Sequence, residues 1–233
     1  MRIDVFSDVV CPWCFLAARR LTSVLDDLGS DPDSGLSHPI EIRWRAFQLD
    51  PGAGPRSTDL RTALEAKYGP GSFDAMTRRF AELGPPVGIA YDFSMAQRVN
   101  TFDAHRLLAW SWDTGGAVEQ NRLSDALFSA YFEHGEDLAD HSVLARLADS
   151  VGLDAEAAAD VLAGQGYSAE VRADLAEAAG LDVHAVPTMV IGGQFTLPGA
   201  QDPDTLRSVL VRVGRRMGHE GCSAQRPDTH ASA

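Results

Sequence analysis

Cysteine is scarce in this chain: three in 233 residues, Cys11, Cys14 and Cys222. That excludes a disulfide scaffold and makes a reducing, cytoplasmic compartment the expectation. No apolar run approaches the ~20 residues that span a bilayer, so no membrane is expected. Met1-Arg2-Ile3-Asp4-Val5 has no charged n-region, apolar h-region or cleavage site, and no signal peptide is expected. Basic residues are in deficit: 20 Lys and Arg stand against 33 Asp and Glu, a net charge of −13. A nucleic-acid partner wants a basic face and is not expected. Internal repeats are absent. The apolar fraction of 45% and charged fraction of 23% are those of a folded globular chain.

The apolar pattern orders the chain. Ile3, Val5 and Val9 read as strand, followed by a helix from Cys11 to about Leu28. Pro12 suits the first turn of that helix and Gly29 its stop. Asp31-Pro32-Asp33-Ser34-Gly35 reads as a turn. Ile40 to Leu49 alternates, with Ile42 and Trp44 on one face and Glu41, Arg43 and Arg45 on a solvated one. These fifty residues form β-α-β, hence two parallel strands. The chain then reads as almost wholly helical to Gly180. Asp140, Asp154 and Ser168 are the expected N-caps of its later helices. Strands return at Val186–Ile191 and Gln194–Leu197, joined by Gly192-Gly193. Asp202-Pro203 opens a last helix striped by Leu206, Leu210 and Val213, with a frayed tail after Gly218. The order describes a split α/β domain interrupted at about 56–165 by a helical insertion.

Cys11-Pro12-Trp13-Cys14 stands where a strand feeds a helix. Unpaired N–H groups and the helix dipole favour a thiolate there, and such motifs have depressed thiol pKa values. Spacing i,i+3 puts both sulfurs on one face. Cys11 is then the exposed attacking thiol, and Cys14, one turn in, the shielded resolving thiol. A Cys-X-X-Cys is also half of a zinc site, but no second pair exists, so no metal is expected. Pro187, at a strand start, fits a trans bond at a sheet edge and fits a cis bond equally well; beside a cysteine pair, cis is the expectation. It would leave the Val186 backbone open to an extended substrate.

Ser7-Asp8-Val9-Val10-Cys11-Pro12-Trp13-Cys14, Asn100-Thr101-Phe102-Asp103-Ala104-His105-Arg106 and Val186-Pro187-Thr188 with Gly199-Ala200-Gln201 resemble the DsbA-like family. Its FrnE-like branch, predicted dithiol-disulfide isomerases first linked to polyketide biosynthesis, is the nearest likeness. The resemblance covers about residues 2–213. It implies an α/β thioredoxin fold over 1–55 and 166–217, with 56–165 inserted and 218–233 as tail. It implies a Cys11 nucleophile, a resolving Cys14, a cis Pro187, and Pro12, Trp13, Val186, Asn100 and Gln201 around the substrate. The substrate implied is a thiol or disulfide, protein or small molecule, with no bound cofactor and glutathione as redox partner or co-substrate.

Three departures stand out: Ala185 where the family often has Gly, a lone Cys222 where some relatives carry a second cysteine pair, and the missing export signal. The superfamily also holds glutathione-dependent 2-hydroxychromene-2-carboxylate isomerases and kappa-class transferases. They typically place Ser at the catalytic position and have no second Cys, so Cys14 favours dithiol chemistry. Asp8, three residues before Cys11, reads as a proton acceptor for Cys14 or as a cap or turn residue, the structural role being favoured; His105 reads as structural, His184 as a loop residue, and Trp110, Trp112, Phe128 and Tyr131 as packing between helices or as groove lining.

Overall fold

A computed structural model describes residues 1–31 and 39–223. In chain order the elements are β1 (Arg2–Ser7), α1 (Pro12–Ser30), β2 (Glu41–Ala46), β3 (Thr58–Asp59), α2 (Leu60–Tyr68), α3 (Ser72–Leu83), a 3-10 turn at Pro85–Val87, and β4 (Gln97–Arg98). There follow α4 (Phe102–Phe132), α5 (His141–Ser150), α6 (Ala155–Ala163), α7 (Ser168–Gly180), β5 (Thr188–Ile191), β6 (Phe195–Pro198) and α8 (Pro203–Ser223). One sheet runs β2-β1-β5-β6. β1 is parallel to β2, as β-α-β requires, and antiparallel to β5. Gly192 and Gly193, at φ 61° and 70°, make the β5–β6 turn, a left-handed conformation that favours glycine. This is the α/β thioredoxin fold.

β1 is buried on both faces. Ile3 and Val5 join the larger core with Leu16 and Leu21 of α1 and Leu206 and Leu210 of α8, while Phe6 packs with Ala178, Val183 and Val190. The expected solvated face of β2 holds only in part: Glu41 is exposed and Arg43 half-buried, but the face closes at Arg45. Arg45 is 7% exposed, because α7 lies over it: Nε donates to Asp174 at 2.6 Å, Nη1 to Asp4 at 3.2 Å, and Nη2 pairs with Glu177. Period-2 alternation cannot distinguish an arginine facing water from one facing a carboxylate on a helix 130 residues away.

Other expectations need correcting. β2 is shorter than 40–49. α1 runs through Gly29, since a single glycine weakens a helix without ending it. The stretch after 56 is less helical than its apolar spacing suggests: β3 and β4 pair with each other, and residues 88–96 are irregular. Tyr167, left-handed at φ 61°, precedes α7 without a side-chain cap; Ser168 is its first helical residue. Asp140, Asp154 and Asp202 do cap, accepting from Ser142, Glu156 and Thr205 N–H groups. α8 continues past Gly218 to Ser223. The expected turn beyond Asp31 and the tail beyond Ser223 lie outside the described residues.

α4 breaks at Gly116, whose φ of 72° and ψ of −154° are not helical. Gln120 Nε2 donates to the Leu108 carbonyl at 2.9 Å, twelve residues back. A straight helix would separate them by about 18 Å, so the two halves fold against each other. The same amide seals the sheet: Gln120 Oε1 accepts from Trp44 N–H at 2.8 Å and Nε2 donates to Trp44 C=O at 3.1 Å. One side chain thus stands in for a neighbouring strand on edge strand β2. Gln120→Leu strands these buried groups, and stability should fall by about 2–3 kcal/mol in urea unfolding. A loss below about 0.5 kcal/mol would show that the edge does not depend on this amide.

Candidate active site

β1 delivers the chain to a tight turn. Cys11 N–H donates to Asp8 C=O at 3.0 Å, and Cys11 becomes the N-cap of α1 with Pro12 at the first helical position. The Cys11 carbonyl accepts from Cys14 and Phe15 N–H groups at 2.9 and 3.2 Å. The two cysteines therefore lie one turn apart at the helix start, as their spacing predicts.

Cys11 is not exposed as expected; it is 3% exposed, and Cys14 is 0%. The cover over Cys11 is the segment before β5, where Cys11 Sγ donates to the Val186 carbonyl at 3.6 Å. The Val186–Pro187 bond is cis. Pro187 C=O accepts from Gly199 N–H at 2.7 Å, and Arg20 of α1 donates to the carbonyls of Ala200 and Gln201 at 3.0 and 3.1 Å. Gln201 turns its own amide to Pro198 C=O. Helix α1 thus holds both the thiols and the turn that backs Pro187.

Burial pushes the Cys14 thiol well above its ordinary range, and the hydrogen bond and charge of Cys11 push the same way. Ser7 and the Asp8 backbone pull it down by less. Cys14 is accordingly held as the protonated thiol.

Segments far along the chain complete the surroundings. Trp13 meets Phe80 edge-on at 4.9 Å under the Arg79 guanidinium at 4.8 Å. Tyr91 OH donates to Pro12 C=O at 2.7 Å. Its phenol is pushed up by burial and by Cys11 and Cys14, so it remains a donor. Sequence reasoning missed Tyr91 and Phe80, since nothing in an irregular stretch ties residue 91 to residue 12.

Asp8 is fully buried and pins the chain after β2, accepting from Leu49 N–H at 2.7 Å. His105 Nε2 is 3.5 Å from its other oxygen, which is buried and makes no hydrogen bond, and 2.9 Å from Phe47 C=O. His184 is largely exposed beside Asp182. Trp110 and Phe128 are core. Tyr131 is both core and cavity wall, while Trp112 lines a separate small recess.

Asn100 makes its hydrogen bonds within its own loop region and to the 48–53 loop. Its Nδ2 donates to Ala53 C=O at 2.9 Å and its Oδ1 accepts from Phe102 N–H and Gln48. It fixes the 48–53 loop and borders a different cavity with Asp103 and His141. Among the described residues no cluster of three His, Cys, Asp or Glu side chains could hold a metal ion, and no helix is long and apolar enough to cross a membrane.

The model of the DSBA-like thioredoxin domain matches residues 2–211. The chain belongs to this family. It is 24% identical to the uncharacterized protein YwbO of Bacillus subtilis, over 90% of this chain and 96% of that one. Among solved DSBA-like structures, SCO1869 of Streptomyces coelicolor, a probable DsbA oxidoreductase, superposes with a TM-score of 0.81 at 29% identity, covering 100% of this chain and 94% of that one. A 2-hydroxychromene-2-carboxylate isomerase gives 0.70 at 20% identity over 94% and 99%. The cytosolic disulfide reductase DsbM of Pseudomonas aeruginosa, with GSH, gives 0.64 at 17% over 92% and 100%. The last two are likenesses of fold.

Proposed function

We propose that this DSBA-like protein is a thiol–disulfide oxidoreductase working through Cys11 and Cys14 in a reducing compartment. The observation that carries the reading is the asymmetry of the pair: Cys11 occupies the N-cap position of α1 beside the Val186 carbonyl, whereas Cys14 is fully enclosed with its proton held on. In the reductive direction the Cys11 thiolate attacks one sulfur of a substrate disulfide. A Cys11–substrate S–S bond forms, and the other substrate sulfur leaves as a thiolate. Cys14 then gives up its proton and attacks Cys11 Sγ. The Cys11–Cys14 disulfide forms, and the remaining substrate sulfur leaves with both electrons of the broken bond. Oxidation of a dithiol is the reverse. Val186 and Pro187 would frame the mixed disulfide, with Pro12 and Trp13 as the facing wall and Gln201 bracing the turn behind Pro187. The halves 1–55 and 166–217 would form the redox unit, and 56–165 would wall the adjoining cavity.

Cys14→Ser should accumulate a mixed disulfide with glutathione disulfide, seen as a +305 Da adduct, ~305 being the mass of one glutathionyl group. Cys11→Ser should accumulate none. An adduct on Cys14 in Cys11→Ser, equal to that on Cys11 in Cys14→Ser, would refute the assignment. The fold likeness to the isomerase supports a second reading, glutathione-dependent isomerisation or transfer. Cys14 has no role in it, so activity that requires glutathione and survives Cys14→Ser would favour it.

A further inference from the structure

A cavity of about 840 Å³ opens beside the turn that carries Cys11, within the size range of small-molecule sites; neither cysteine is itself on its wall. Val10 and Pro12, the two neighbours of Cys11 in the chain, both line it. Its remaining walls are mainly apolar, with Leu49, Leu64, Tyr68 and Met76 among them. Leu49 and Tyr68 are two of the few large apolar side chains left exposed, at 47% and 64%. α2 supplies one wall, yet it buries none of its residues fully. Its Leu60 and Leu64 are only partly covered, so its apolar face is turned to a space that the chain does not fill.

Of the four charged residues on the lining, two pair with each other and a third caps a helix. Arg98 Nε donates to Asp50 at 2.6 Å. Asp59 caps α2 by accepting from Thr62 N–H at 2.7 Å. The Lys67 ammonium lies 5.1 Å from the Tyr68 ring centroid. An anionic or zwitterionic ligand would find one cation without a carboxylate partner among the described residues, Lys67 at the exposed edge, whereas an apolar body gains from most of the walls.

We propose that this cavity binds the organic body of an uncharged, low-molecular-weight disulfide or thiol and presents its sulfur to Cys11. The proposal rests on the exchange reading above and names the substrate class of that site. A charged peptide segment or glutathione would gain little from these walls.

The test compares two aromatic disulfides in single turnovers of the reduced protein. 2,2′-Dithiodipyridine is uncharged at neutral pH, and 5,5′-dithiobis(2-nitrobenzoate) is a dianion. Each accepts two electrons and releases two thiols as Cys11 and Cys14 close, so no further reductant is needed. Each rate is divided by that of free glutathione with the same reagent. The normalised rate should favour the uncharged disulfide at least tenfold. Leu64→Trp, which fills the cavity from a partly exposed helix, should cut that preference at least fivefold; Val118→Trp, an exposed position on α4, should not change it. A preference near one, or one that Leu64→Trp leaves intact, overturns the proposal while the exchange reading stands.

If neither disulfide reacts faster than with free glutathione, the exchange reading fails. The cavity is then judged by calorimetry with 4-biphenylmethanol, which has no sulfur. Binding with a negative heat-capacity change, lost in Leu64→Trp, supports an apolar site; no heat at any temperature overturns it. Met76→Trp fills the same space from α3 and replaces Leu64→Trp should that variant not fold.

Discussion

At pH 8, iodoacetamide should label Cys11 of the reduced protein at least about 100-fold faster than Cys14. The thiolate is the reacting species, and each pKa unit of upward shift removes about nine-tenths of it. Cys14 carries a large upward shift whose main cause is burial; the neighbouring Cys11 contributes less. In Cys11→Ser the neighbour's charge is gone but the burial remains, so Cys14 should stay slow. Peptide mass spectrometry after short labelling distinguishes the sites, and equal labelling, or Cys14 first, contradicts the assigned order.

The same shift links to stability. Because folding raises the Cys14 pKa, the native state keeps a proton that the unfolded chain releases. No stability is lost below the ordinary thiol value of 9.0. Above it stability declines as pH rises towards the raised native value. Cys14→Ser should lack that part of the alkaline decline.

Arg45→Met should destabilise the fold by about 3–5 kcal/mol, because it leaves buried carboxylates without their cation. Asp4 is 6% exposed and retains Arg2 at the surface and the weaker attraction of Arg43. Asp174 retains the Ala46 N–H, which it accepts at 2.9 Å, but loses the guanidinium. Methionine fills much of the space and keeps the apolar stem, so the loss reports the charge more than a cavity. The guanidinium also lies over the Phe6 ring at 5.7 Å, a smaller contribution. Urea unfolding measures the effect, and a loss under about 1 kcal/mol would mean the acids find other partners or take up protons at little cost.

What the sequence disclosed was local. The strand leading into Cys11-Pro12-Trp13-Cys14, the Gly192-Gly193 turn and the three aspartate caps follow from neighbours a few residues apart, where spacing and side-chain chemistry decide the backbone. The contacts it concealed are long-range. Arg45 reads as solvent-facing until α7 is laid on it. The hold of the Asn100 amide on the 48–53 loop has no local signal either. The fold-back at Gly116 was hidden because both halves of α4 carry helical periodicity, and a helical stripe does not record where the axis reverses. Tyr91 was hidden for the opposite reason, since residues 88–96 have no period at all. Cys11 misled because position in a helix predicts where a thiol sits but not what folds over it.

The sulfurs belong to the start of α1, whereas most of the cavity wall beside them comes from residues 58–68, 93–99 and 131–132. Heritable change can therefore reshape what is admitted without touching the residues that carry the electrons. α2 is the most permissive ground for such drift: with no fully buried side chain, nearly every position in it can vary before the core registers the change. Lineages that share the Cys-Pro-Trp-Cys turn could thus diverge in diet through this one short helix while inheriting the same redox chemistry.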